Sequence, residues 1–181
     1  MSLPNYISLF RLFLTPFFFT TLVSYRPGEE HYRWIAFGIF VFASLTDALD
    51  GFIARVHGER TALGTFLDPL ADKMILMSGF LGLLFVEGLP YQPPLWVTVT
   101  IVFRDIVILG GLIVVFLMTK RIRVRPNFLG KCTTAFQMVT LIVILLAWPI
   151  SVILWNITVA LTIASCITYL VRDLKALKVH I

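Results

Sequence analysis

The chain has 181 residues, 59% of them hydrophobic and only 14% charged, and its mean hydropathy is +0.92. Soluble domains carry about a quarter charged residues, so this composition excludes an ordinary soluble fold and points to a chain that crosses a bilayer repeatedly. The net charge of +5 suits contact with anionic headgroups; no nucleic-acid partner is expected, because the basic residues flank apolar runs instead of forming a soluble face.

A membrane-spanning helix takes about 20 mostly apolar residues. In chain order, six runs qualify: 6–25, 33–56, 66–88, 95–119, 130–148 and 150–171. The first opens MSLPNYISLFRLF, with neither a positive leader nor a small-residue cleavage site, and is expected to stay in the mature protein. Breaks between runs carry Pro, Gly or charge, as in YRPGEEHYR, HGER, EGLPYQPP, KRIRVRPN and WP. The second and third runs are interrupted by polar residues. No internal repeat stands out, and residues 1–181 read as one domain. The expected fold is an all-α integral membrane protein, a six-transmembrane-helix bundle.

Lys and Arg set orientation, since they concentrate in cytoplasmic loops. Arg55, Arg60, Lys120, Arg121, Arg123, Arg125, Lys131, Arg172, Lys175 and Lys178 all fall in alternate connections or the C-terminal tail, whereas the opposite connections hold only Arg26 and Arg33, offset by Glu29 and Glu30. Both termini and the stretch 47–72 are therefore expected on the cytoplasmic side. Cys132 and Cys166 lie in or beside apolar runs without metal-type spacing, and are expected as unpaired core cysteines.

The stretch DALDGFIARVHGERTALGTFLDPLAD, residues 47–72, contains four aspartates between apolar flanks. Asp47 and Asp50 are three apart and Asp68 and Asp72 four apart, so on helices each pair shares a face. Two helices joined near HGER would set the pairs opposite each other. Clustered carboxylates stay ionised only beside compensating positive charge. Arg55 could serve one of them, whereas a divalent cation serves several, and an all-oxygen site suits Mg²⁺, Mn²⁺ or Ca²⁺. Ionisable groups within membrane segments are costly and point to function. Gly51, Ala54 and Gly64 clear space beside them, although small residues also serve plain helix packing.

This pattern, Asp47-x-x-Asp50-Gly51-x-x-Ala54-Arg55, eight residues, Gly64, three residues, Asp68, three residues, Asp72, resembles the signature of the CDP-alcohol phosphotransferase family at every fixed position. The resemblance implies displacement of CMP from a CDP-linked donor, commonly CDP-diacylglycerol, by an acceptor hydroxyl. It implies that Asp47, Asp50, Asp68 and Asp72 hold metal, Mg²⁺ or Mn²⁺ and two ions, with Asp72 also the general base. It implies a CDP pocket of Asp47, Asp50, Gly51, Ala54, Arg55, Gly64 and Asp68, and an active site at the cytoplasmic side of the bundle. A bacterial inner (cell) membrane location and a homodimer are expected on the same ground.

For the acceptor, Arg104 interrupts the fourth run at FRDIV beside Asp105. It either pairs with a carboxylate or reaches an acceptor phosphate together with Lys131 and Arg125, since Arg and Lys are the usual phosphate clamps. Asn5 and Arg11, in the family-like opening LPNYISLFRLFLTP, lie at a possible headgroup entrance or act as interfacial anchors. That opening and the LGK…T…Q pattern at Leu129, Gly130, Lys131, Thr134 and Gln137 resemble synthases of phosphatidylglycerophosphate, which use glycerol 3-phosphate. FRDIVILGG and RPNFLGKCTTAFQ equally resemble cardiolipin synthases, which use phosphatidylglycerol. Glycerol 3-phosphate is the expected acceptor and phosphatidylglycerol the alternative. A cation channel or carrier with an aspartate ring is the competing class; it would release no CMP.

Overall fold

The computed structural model describes residues 3–57, 62–119 and 128–178, with side chains over 6–46, 70–111, 113 and 128–169. Six helices follow in order: α1 Leu3–Val23, α2 Glu30–His57, α3 Ala62–Gly82, α4 Leu95–Thr119, α5 Phe128–Leu145 and α6 Ser151–Lys178. Each expected run overlaps one helix, with ends that differ by up to seven residues except for α4. Three of them are long and apolar enough by composition to cross a membrane, over Tyr6–Val23, Phe128–Leu145 and Ser151–Tyr169 among the described residues. Large apolar side chains stand exposed along α1, α2, α4 and α6, among them Phe13, Phe17, Phe42, Phe103, Ile106, Ile153 and Ile167. Such a surface is stable against lipid and not against water.

α3 sits among α1, α4 and α5, while α5 pairs with α6 and α4 also meets α6. Small residues allow the close approach of α1 and α5 to α3. A Cβ at Gly79 would come within 2.4 Å of Leu141 Cδ2 and 3.2 Å of Phe18 Cε1, and one at Gly82 within 2.9 Å of Leu22 Cδ2. Without a hydrophobic effect between helices in lipid, this close packing is what holds a bundle together. Phe18, Leu22, Phe40, Leu76, Phe80, Ile101, Leu141 and Ile144 form the buried core around it. The contacts also set direction. Gly79 and Gly82 late in α3 meet residues late in α1 and α5, so α1, α3 and α5 run parallel.

The connections 24–29, 83–94 and 146–150 therefore share one end of the bundle. α3 stops at Gly82, six residues before the expected end of its apolar run, for an identifiable reason. Leu84 N and Phe85 N turn to the carbonyls of Leu81 and Gly82 at 3.0 Å, and the Gln92 amide donates to the carbonyls of Leu83 and Val86. The first two bonds satisfy carbonyls of the helix end, and the Gln92 bonds hold the turn that follows it. α5 ends in a Schellman turn: Trp148 N bonds Val143 O at 3.2 Å and Ala147 N bonds Ile144 O at 2.9 Å, with Ala147 at φ +55°. Pro149 then forbids continuation. Trp34, Trp96 and Trp148 are exposed at this same end, the arrangement of an interfacial aromatic girdle. Cys132 and Cys166 are free thiols, but both are part-exposed and neither belongs to the buried core expected for them.

Candidate active site

The end of the bundle opposite the tryptophans carries the signature. Asp47, Asp50, Gly51, Ala54 and Arg55 fall in the last three turns of α2, and Gly64, Asp68 and Asp72 in the first three turns of α3. Asp47 lies 17 residues beyond Glu30, the first residue of α2, or about 25 Å along the axis at 1.5 Å per residue. A hydrocarbon core is about 30 Å thick, so with Glu30 at one interface the signature begins close to the other. The side chains of 47–69 lie outside the described set, as do the Asn5 side chain and Arg125 altogether.

Asp72 is the member of the signature whose side chain is described. It is half-buried, and its Oδ1 accepts a hydrogen bond and ion pair from Nη1 of Arg11 on α1. Arg11 is among the most completely buried side chains of the molecule, at 2% exposure. The parallel packing of α1 on α3 brings these two together although 61 residues separate them. The sequence alone offered Arg11 as a headgroup-entrance residue or an interfacial anchor and gave it no partner; the structure buries it against the fourth aspartate. The oxygen-only donor set of the four aspartates is chemically fit for a hard divalent cation.

A second charged cluster, around Lys73 next to Asp72, is largely buried. Lys73 on α3 donates to Oδ1 of Asp105 on α4 at 2.8 Å, to Thr134 Oγ1 on α5 at 3.2 Å and to Gln137 Oε1 at 3.5 Å. Asp105 Oδ1 also accepts from Arg104 Nη1 at 2.7 Å, and Arg104 Nη2 donates to Ser165 Oγ on α6 at 2.7 Å. Four helices are thus tied through one carboxylate. Arg104 pairs with Asp105, one of the two uses expected for it. Lys131 is exposed in the first turn of α5, and Arg104 is buried.

Lys73 is the residue that the sequence reading missed. Its signal was present: a lone lysine directly after Asp72 and before the apolar run MILMSGFLGLLF. A charge in that position must find partners inside the bundle. Thr134 and Gln137, seen in sequence only as part of a subfamily pattern, are two of those partners. Among the described residues no three His, Cys, Asp or Glu side chains come together.

Comparison with known proteins now assigns the chain. The model of the family described as CDP-alcohol phosphatidyltransferase matches residues 1–165. A Mycobacterium tuberculosis protein named "Probable phosphatidylglycerophosphate synthase" is 32% identical over 179 residues, covering 96% of this chain and 82% of that one. A Haemophilus influenzae CDP-diacylglycerol--glycerol-3-phosphate 3-phosphatidyltransferase is 32% identical over 177 residues, covering 93% and 91%. The human cardiolipin synthase (CMP-forming) is 34% identical over 192 residues, covering 93% of this chain and 60% of the human one. With the family's match spanning both signature helices and five of the six helices in full, this chain is a member of the CDP-alcohol phosphatidyltransferase family, membrane enzymes that work with divalent metal ions.

Proposed function

We propose that the protein transfers a phosphatidyl group from CDP-diacylglycerol to a hydroxyl of glycerol 3-phosphate, releasing CMP, as a step of phospholipid biosynthesis. The observation that carries this reading is the uninterrupted aspartate signature over 47–72 in a chain whose relatives include 3-phosphatidyltransferases acting between CDP-diacylglycerol and glycerol 3-phosphate. The bundle spans the membrane six times as one domain. Its termini and signature end face the cytoplasm, where the basic residues concentrate, in a bacterial inner membrane. A site at that edge lets soluble CMP depart while the acyl chains stay in lipid.

Asp47, Asp50, Asp68 and Asp72 hold Mg²⁺ or Mn²⁺ in a site for two ions. When bound, the cations neutralise the diphosphate charge that otherwise opposes attack. Gly51, Ala54, Arg55 and Gly64 line the CDP moiety. Asp72 accepts the proton of the acceptor hydroxyl as that oxygen bonds to the phosphatidyl phosphorus and the bond from phosphorus to the CMP oxygen breaks. Arg11 orients the Asp72 carboxylate from inside the bundle. Lys131 and Arg125 meet the acceptor phosphate, with Arg104 behind them.

Phosphatidylglycerol is the second acceptor to consider, because the human relative is a cardiolipin synthase and Asp105 follows Arg104 as in that subfamily. Purified protein given CDP-diacylglycerol and Mg²⁺ should release CMP with glycerol 3-phosphate and stop on addition of EDTA. Release with phosphatidylglycerol alone would transfer the assignment to cardiolipin synthesis. No release with either acceptor would refute the reading.

A further inference from the structure

Lys73 and Asp72 are neighbours in α3, and consecutive helical residues point about 100° apart. Asp72 is held on the α1 side by Arg11. Lys73 is held on the α4 and α5 side by Asp105 at 2.8 Å, Thr134 at 3.2 Å and Gln137 at 3.5 Å. An ammonium has three protons, and these three acceptors take them. Two adjacent residues anchored in two directions fix both the rotation and the axial position of α3. Asp68, one turn before Asp72 on the same helix, is carried with it.

Energetics indicate that this anchor is not there for stability. Burying a lysine costs several kcal/mol of desolvation, and a well-packed apolar residue in place of a buried ion pair is often as stable or more so. Such a network gives geometry instead. Asp105 is itself fixed, since Arg104 bonds it at 2.7 Å and is bonded in turn to Ser165 on α6 at 2.7 Å. The lysine therefore refers α3 to the other half of the bundle, α4, α5 and α6. We propose that Lys73 is a positioning residue: its bond to Asp105 sets the rotation of α3 that presents Asp68 and Asp72 to the divalent cation. The inference rests on the reading that these aspartates hold metal, and it assigns Lys73 no contact with substrate.

Mn²⁺ binding to the purified full-length protein, followed by electron paramagnetic resonance, tests it without turnover. Lys73→Met leaves Asp105 paired with Arg104, so no carboxylate is stranded and the melting temperature should hold. Its Mn²⁺ dissociation constant should rise about 10- to 100-fold, the usual effect of removing a residue that orients metal ligands. Asp105→Asn should do the same, and Lys73→Met/Asp105→Asn should be no worse than either alone, because both act through one bond. Wild-type affinity in folded Lys73→Met would overturn the proposal. So would a lowered melting temperature with unchanged Mn²⁺ affinity, which is the signature of a merely structural lysine. If Lys73→Met does not fold, Asp105→Asn decides on the same criterion. Absence of Mn²⁺ binding by the wild-type protein would remove the metal reading and this inference with it; wild-type binding that both variants retain overturns the inference alone.

Discussion

Replacing Arg11 by Met removes the cation beside Asp72 while keeping an unbranched side chain of similar length. Breaking a fully buried ion pair costs about 3–5 kcal/mol, because a charge is left without a partner. The Asp72 side chain is 27% exposed, so water screens part of that penalty and about 2–3 kcal/mol is the expected loss. For a chain of this size each kcal/mol moves the melting temperature by roughly 2–4 °C, giving a drop of about 4–12 °C. The assay is thermal unfolding of the purified protein in EDTA and again in excess Mg²⁺. If the aspartates bind the cation, Mg²⁺ supplies the positive charge that Arg11 no longer does, and the gap between variant and wild type narrows. Equal melting temperatures in EDTA would refute the claim that Arg11 stabilises Asp72. A gap unchanged by Mg²⁺ would refute metal binding beside Asp72.

Asp72→Asn keeps an acceptor for Arg11 but removes the base; turnover should fall about 10²-fold or more while CDP-diacylglycerol still binds, and full activity would end its role as proton acceptor. Lys131→Ala should raise KM for glycerol 3-phosphate about tenfold or more, the effect of losing one charge-assisted hydrogen bond, with KM for CDP-diacylglycerol unmoved. Equal KM values for both substrates would dismiss the phosphate contact. Gly79→Ala places a methyl 2.4 Å from Leu141 Cδ2, so the buried Leu141 side chain must shift within the packed α3–α5 contact at a cost of about 1–3 kcal/mol. Leu141→Val in the same background should recover part of it, and wild-type stability of Gly79→Ala alone would show that the interface is looser than the packing indicates.

Helix number and order were legible in the sequence because apolar runs of membrane length leave few alternatives. The end of α3 was not, since residues 83–86 are as apolar as the helix before them and only the Gln92 side chain, reaching back to two carbonyls, marks the stop. The signature aspartates were legible from spacing, and their helices lie where the spacing required. The partner of Arg11 was not legible because one helix's pattern does not state which neighbour it meets; that α1 lies parallel to α3 is a tertiary fact. Lys73 escaped notice for a related reason. Its three acceptors come from two other helices, and nothing local distinguishes a lysine that crosses the interior from one that reaches the headgroups.

The burial of Arg11 has a consequence for how the chain is made. α1 is synthesised and meets the bilayer before α3 exists, so its arginine enters without Asp72. At the centre of a span that charge would oppose insertion by about 2.5–3.5 kcal/mol. Arg11 sits eight residues from the start of α1 at Leu3, about 12 Å along the axis, and its long side chain reaches back toward the headgroups at far lower cost. The span inserts first as a helix with a snorkelling arginine. The inward-facing guanidinium of the folded protein needs the Asp72 carboxylate of α3 as its partner, so its buried position belongs to the assembled bundle and not to α1 alone.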